Sequence, residues 1–205
     1  MKWPTSQIQT TATDQYIISL DPAQLRDWSA LAAVRMRYNQ ATQKFGYDLV
    51  NMDRRQKIGY DLIVDWAVNA FNTPAFHVPV PALFLLDATG PGLALKDMLR
   101  LKGVRCKPII ITSGQNVIRD GPFIHVGKPR LFGKFMAAFD SGRVRISPAM
   151  LIYSTLEKEM VNFRAKLSSS GNAMFEAAPG ENDDLLFSLA MAIWYGEEIL
   201  RGSKV

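Results

Sequence analysis

Leu83-Phe84-Leu85-Leu86-Asp87-Ala88-Thr89-Gly90-Pro91-Gly92 is the stretch whose reading decides the fold. Large apolar residues run without interruption into a carboxylate and then into a glycine-rich turn. An unbroken apolar run bounded by breakers suits a strand buried on both faces of a sheet. The following residues place Leu93, Leu95, Met98 and Leu99 at helical spacing and close at Gly103. Strand, tight turn and helix make half of a βαβ unit, so Asp87 falls at the carboxyl end of a buried parallel strand. Open α/β sheets build their sites at that edge, and a carboxylate there is costly without a cation or donor.

Working outward, residues 1–14 are polar and rich in Thr and Gln, and read as a tail before a single domain over 15–202. Tyr16 to Asp21 reads as a buried strand ending in a second carboxylate. Pro22 to Trp28 is a loop, Ser29 to Tyr38 a strand folded back as a hairpin, and Phe45 to Met52 a third strand. Ile58, Leu62, Ile63, Trp66, Ala67, Ala70 and Phe71 recur at helical intervals. Beyond the 93–101 helix, Arg105 to Thr112 is a strand and Ser113 to Arg130 a loop or small hairpin. Leu131 to Phe139 is a helix with Lys134 on its exposed side, and Arg143 to Ile146 a short strand. A long amphipathic helix is expected from Ala149 to Leu167, then a loop over 168–180 holding a small strand at 173–177, and a last helix from Asn182 to Trp194. The βββαβαβ order is the ribonuclease H-like plan, an α/β fold with a mixed five-stranded sheet flanked by helices. In that plan the first and fourth strands are neighbours, which brings Asp21 beside Asp87 through a right-handed crossover.

Composition narrows the chemistry. The 205 residues, 48% apolar and 21% charged, are ordinary for a globular protein with a full core. No apolar run approaches the roughly 18 residues that span a bilayer, and the first residues lack the apolar core of a signal peptide. One cysteine, Cys106, rules out an internal disulfide and fits a reducing compartment. With only His77 and His125 besides, a zinc site or a histidine-based triad is disfavoured. Hydrolytic chemistry here must rest on carboxylates. Between Leu93 and Ile146 stand eleven cations against three acids, which suits a polyanion brought to a metal site, or equally a solvated face.

The acids carry the functional reading. Asp21 ends the first strand, Asp87 the fourth, and Asp183-Asp184 opens the last helix; Asp27 follows across the first loop. Singly, each has a plain structural use, as a turn residue or a helix N-cap. Gathered at one edge, they repel each other and demand a compensating cation. Oxygen ligands suit Mg²⁺ or Mn²⁺, and two such ions about 3.5–4 Å apart activate water and stabilise the leaving oxygen of a phosphodiester.

These blocks resemble the large terminase subunit of tailed bacteriophages, specifically its C-terminal nuclease domain. The resemblance rests on the segment from Leu20 to Ala30, on Asp87 to Gly92, on Val126-Gly127-Lys128 ahead of the helix leading to Ser141–Ile146, and on Asn182 to Ala192. They keep their order over residues 16–195. It implies a metal-dependent endonuclease that cuts double-stranded viral DNA concatemers during genome packaging in the bacterial host cytoplasm. It implies a two-metal Mg²⁺ or Mn²⁺ site with Asp21 bridging, Asp87 and Asp184 each completing one ion, Asp183 close by and Asp27 assisting. Its partners would be DNA, an ATPase domain, the small terminase and the portal, with no membrane. Lys128, Arg130 and Lys134 are the expected phosphate-binding cations, and Trp28 either supports the site or joins the core. Three features depart from the family: Asn182 replaces a usual histidine, Pro22 follows the first aspartate, and no G-x-x-x-x-G-K-[ST] motif of an ATPase occurs. The rival readings are a RuvC-like junction resolvase, a catalytically silent DNA-docking module, and a domain that only contacts portal or small terminase.

Overall fold

The structure is a computed structural model describing residues 14–23, 27–90, 92–167, 173–177 and 182–200. Its centre is a sheet built from β1 (Gln15–Asp21), β2 (Trp28–Asn39), β3 (Lys44–Gln56), β4 (Leu83–Asp87) and β5 (Cys106–Thr112). Their spatial order is β3-β2-β1-β4-β5, with β1, β2 and β3 antiparallel and β4 and β5 parallel to β1. Residues of β1 and β4 alternate between two cores, as a near-continuous apolar run requires. Ile17 and Leu85 face α3 (Lys128–Asp140) and α5 (Asp184–Trp194). Ile18, Leu20, Phe84 and Leu86 face α1 (Tyr60–Phe71) and α2 (Gly92–Leu101).

The ribonuclease H-like plan holds, and the sheet is wider than five strands. The 113–130 segment forms the hairpin β6 (Val117–Asp120) and β7 (Phe123–Gly127), and β7 pairs parallel to β5. On the other side β8 (Val144–Ile146) pairs parallel to β3. The sheet therefore has eight strands. β3 also runs on to Gln56, and α3 begins at Lys128, earlier than the apolar spacing alone indicated.

One expectation is corrected. The long helix over 149–167 is instead α4 (Tyr153–Asn162) followed directly by β9 (Phe163–Leu167), which pairs with β10 (Ala173–Ala177). The chain turns extended at Phe163, whose ring packs on Phe132 at 4.3 Å. From Phe163 to Leu167 apolar and basic residues strictly alternate, a strand period that overrides the helical one. The 1–14 tail lies outside the described residues apart from Asp14, which is buried with its carboxylate 3.8 Å from Arg35.

Two glycines show how close the turns lie. A Cβ on Gly92 would overlap the carbonyl oxygen of Asp87, because the first turn of α2 folds directly over the end of β4. In the α3 interior, Gly133 has open space around the same position. Gly92→Ala is therefore expected to destabilise the protein by about 1–3 kcal/mol. Gly133→Ala should stabilise it by about 0.5–1 kcal/mol. Urea unfolding of both variants distinguishes the signs.

Candidate metal centre

Strand pairing places the first two carboxylates. Leu20 pairs with Leu86 in parallel register, so Asp21 and Asp87 leave neighbouring strands at the same rim. By alternation both belong to the α5 side of the sheet. The Asp87 Oδ1 accepts the Thr89 N–H at 2.8 Å, and Thr89 Oγ1 in turn accepts the Ile111 N–H at 2.8 Å. The turn after β4 is thus pinned to β5, and the carboxylate with it.

α5 delivers the other pair. Its apolar stripe is buried along its whole length, and Ser19 of β1 donates its hydroxyl to the Ser188 carbonyl at 2.6 Å. That bond seats the helix across β1 with its N-terminus at the rim. Asp183 occupies the N-cap position, yet its side chain caps nothing and instead accepts Lys128 Nζ at 3.0 Å. The cap is supplied from elsewhere: Glu159 of α4 accepts the Leu186 N–H at 3.0 Å through Oε2. Its Oε1 holds Arg54 of β3 at 3.1 Å, and the Arg54 guanidinium lies 4.2 Å over the Trp28 ring. Trp28 is thus half-buried beneath a cation beside the site rather than in the core.

Electrostatics bind these groups into one centre. The Asp21 carboxyl is held well above the usual range, first by burial and then by Asp87, Asp184 and Asp183, with Lys128 opposing. Burial likewise raises Asp87 against the Thr89 hydrogen bonds. Asp184 is pushed up to about 7 by burial, then by Glu159 and Asp183. Its Oδ2 is buried with no hydrogen-bond partner. An orphaned carboxylate oxygen among repelling acids is what a divalent cation would satisfy.

Among the described residues, no three His, Cys, Asp or Glu groups close tightly enough to hold an ion by themselves. Mutual repulsion spreads bare carboxylates, and Mg²⁺ takes only one or two of them while keeping several waters. The donor set, all hard oxygens with no histidine, fits Mg²⁺ or Mn²⁺.

Not every expected residue converges. Asp27 is exposed, one residue before β2 starts at this rim. Lys128, the first residue of α3, faces the carboxylates. Arg130 instead forks onto Glu198, its Nε 2.8 Å from Oε1, and Lys134 also acts on Glu198. Glu159 and Arg54 escaped the sequence reading. The one signal was Glu159 standing three residues after Leu156, on the stripe that continues through Met160 and Phe163. Only 5% exposed, it is an acid in a place meant for an apolar residue.

Neither a protein-family model nor a curated protein sequence matches the chain. Solved structures do. The chain is similar to the large terminase nuclease from thermophilic phage G20c with bound magnesium, at 20% identity over 88% of this chain and 80% of that one, TM-score 0.63. It is similar to the Thermus phage P74-26 large terminase nuclease domain, at 20% identity over 90% and 80%, TM-score 0.63. The HK97 bacteriophage large terminase follows, at 12% identity over 91% of this chain and 40% of that one, TM-score 0.59. The fold is that of ribonuclease H-like terminase nuclease domains. No helix among the described residues is long and apolar enough to cross a membrane.

The raised carboxyl groups set a pH dependence. Folded Asp184 keeps its proton to about 7, whereas an unfolded aspartate releases it near 3.8. The folded state therefore binds more protons in between, and stability must fall as pH rises through that window. In chelator, the melting temperature is expected to drop from pH 4 to pH 7 and to recover on adding Mg²⁺ at pH 8. Asp184→Asn should flatten the profile; a stability that rises with pH over this range contradicts the carboxylate cluster.

Proposed function

We propose that the chain is the nuclease domain of a tailed-phage large terminase, a divalent-metal-dependent endonuclease that cuts double-stranded viral DNA concatemers during packaging. The observation that carries this reading is the convergence of Asp21, Asp87, Asp183 and Asp184 on one rim with a buried, unpartnered oxygen at Asp184. Its likeness in fold to terminase nuclease domains points the same way. Asp183 and Asp184 are not spent on capping α5, since Glu159 accepts the Leu186 N–H.

Asp21, Asp87 and Asp184 would hold Mg²⁺ or Mn²⁺ in a two-metal site, with Asp183 beside them. Such ions polarise phosphoryl oxygens and acidify water. The chain's own groups do the rest. Asp21, on which both Asp87 and Asp184 act, would be the carboxylate the two share in holding the ions. Lys128 holds Asp183 and places a positive charge where a phosphate must approach. The α5 N-terminus adds its partial positive charge at the same point. Asn182 has no titratable group, so no base is drawn from that position. Asp27, on the exposed lip before β2, would assist from outside the carboxylate cluster. Arg130 and Lys134, part of the same basic helix, contact the DNA backbone outside the site. In packaging, translocation falls to an ATPase domain, with the small terminase and portal as further partners, in the host cytoplasm.

Nicking of supercoiled plasmid in Mg²⁺ or Mn²⁺ tests this. Asp87→Asn is expected to lose at least about 100-fold in rate, and Glu159→Gln about tenfold through a displaced Asp184. Equal cleavage by wild type and Asp87→Asn removes the assigned centre.

A further inference from the structure

Lys128 puts its ammonium among the carboxylates of the metal rim. β7 ends at Gly127, where a Cβ would overlap the Gly114 carbonyl oxygen, and the Gly127 N–H donates to the Asn116 carbonyl at 3.3 Å. Lys128 opens α3 from that fixed point. Its Nζ donates to Asp183 Oδ2 at 3.0 Å. The same atom lies 5.7 Å from the Phe132 ring centre and 5.8 Å from that of Phe187. Aromatic faces attract a cation, so the ammonium is held from two sides. Its charge also lowers the carboxyl groups of Asp21 and Asp87 against their burial. Arg54, also at this rim, is engaged by Glu159.

A divalent ion and this ammonium ask for the same oxygens. At 3.0 Å from Asp183 Oδ2 the lysine takes a lone pair that an ion would use, and its charge repels a cation entering beside it. Lysine suits an exchange. Its charge rides on a flexible four-carbon stem without the fixed fork that makes arginine pairs bidentate. The Lys128 side chain is 33% exposed, so the ammonium can turn outward without opening the core. With no ion bound, it offsets repulsion among Asp21, Asp87 and Asp183. Once ions carry that charge, the lysine is surplus there.

We infer that Lys128 is an exchangeable counter-ion of the metal centre, which holds Asp183 in the absence of ions, competes with them for that carboxylate, and passes on loading to a phosphate of the DNA backbone. This rests on the nuclease reading of the rim. Lys128 is a positioning residue whose charge weakens metal binding, whereas a side chain that only builds the site would strengthen it. A backbone phosphate draws the released ammonium away, so DNA and ions favour each other's binding through one side chain.

Mn²⁺ binding by isothermal titration calorimetry at pH 8, without DNA, reads the competition apart from cleavage. Lys128→Met, which keeps an apolar stem and removes the charge, is expected to bind Mn²⁺ at least about threefold tighter than wild type. Lys128→Gln, also neutral, is read in its place where Lys128→Met fails to fold. Lys128→Arg should bind no tighter than wild type, and Lys134→Met, the same charge loss further along α3, should leave the affinity unchanged. Plasmid nicking by Lys128→Met is expected to slow although its ions bind more tightly, because the phosphate loses its contact. Neutral variants that bind Mn²⁺ no tighter than wild type, an equal gain in Lys134→Met, or undiminished nicking each overturn the proposal. Where wild type binds Mn²⁺ and Asp87→Asn does not, such a result refutes the role of Lys128 alone. A wild type that neither binds Mn²⁺ nor nicks removes the metal centre as well.

Discussion

Aspartates from β1, β4 and α5 bring negative charge into one partly dehydrated rim, where electrostatics alone would drive them apart. Burial raises the carboxyl groups of Asp21, Asp87 and Asp184, and neighbouring acids add to it at Asp21 and Asp184. Only a rigid surround can impose it. The parallel pairing of β1 and β4, the close approach of Gly92 to the Asp87 carbonyl, and the Ser19–Ser188 hydrogen bond each remove a route by which the acids could separate. The two cores on either side of the sheet supply the stability that such a strained centre draws on.

Glu159 explains how the last helix can begin with two aspartates and leave both available. An N-terminal aspartate ordinarily folds back to cap its own helix. Here a carboxylate from another helix takes that task, steadied by Arg54 and through it by Trp28. Asp183 is released to Lys128, and Asp184 keeps an oxygen without a donor. Three elements distant in sequence thus cooperate to keep one helix start chemically open.

Charge is sorted along the β2–β3 ribbon. The metal rim gathers acids with a facing lysine, whereas arginines of β2 and β8 gather around Asp48 part-way along β3. Both centres are unbalanced, in opposite senses, and strand alternation puts them on opposite faces of the sheet.

Much of this was legible before folding. Apolar runs ending in Asp21 and Asp87, the helical spacing before Phe71 and after Asp184, and the order of these elements determine the sheet's centre and put both strand-end acids at one rim, because a parallel neighbour carries its carboxyl end to the same side. Residue chemistry by itself also disfavoured histidine and cysteine centres. What only the tertiary structure decided is which charges meet. Glu159 lies 72 to 138 positions from Asp21 and Asp87, as their numbers show, and nothing local tells a buried capping acid from a solvated one. The split of Lys128 from Arg130 and Lys134, the exposure of Asp27, and the strand at 163–167 where a helix was expected have the same origin. Local spacing specifies a residue's own backbone and face, but the partner that fixes its charge comes from a distant segment, and only packing chooses it.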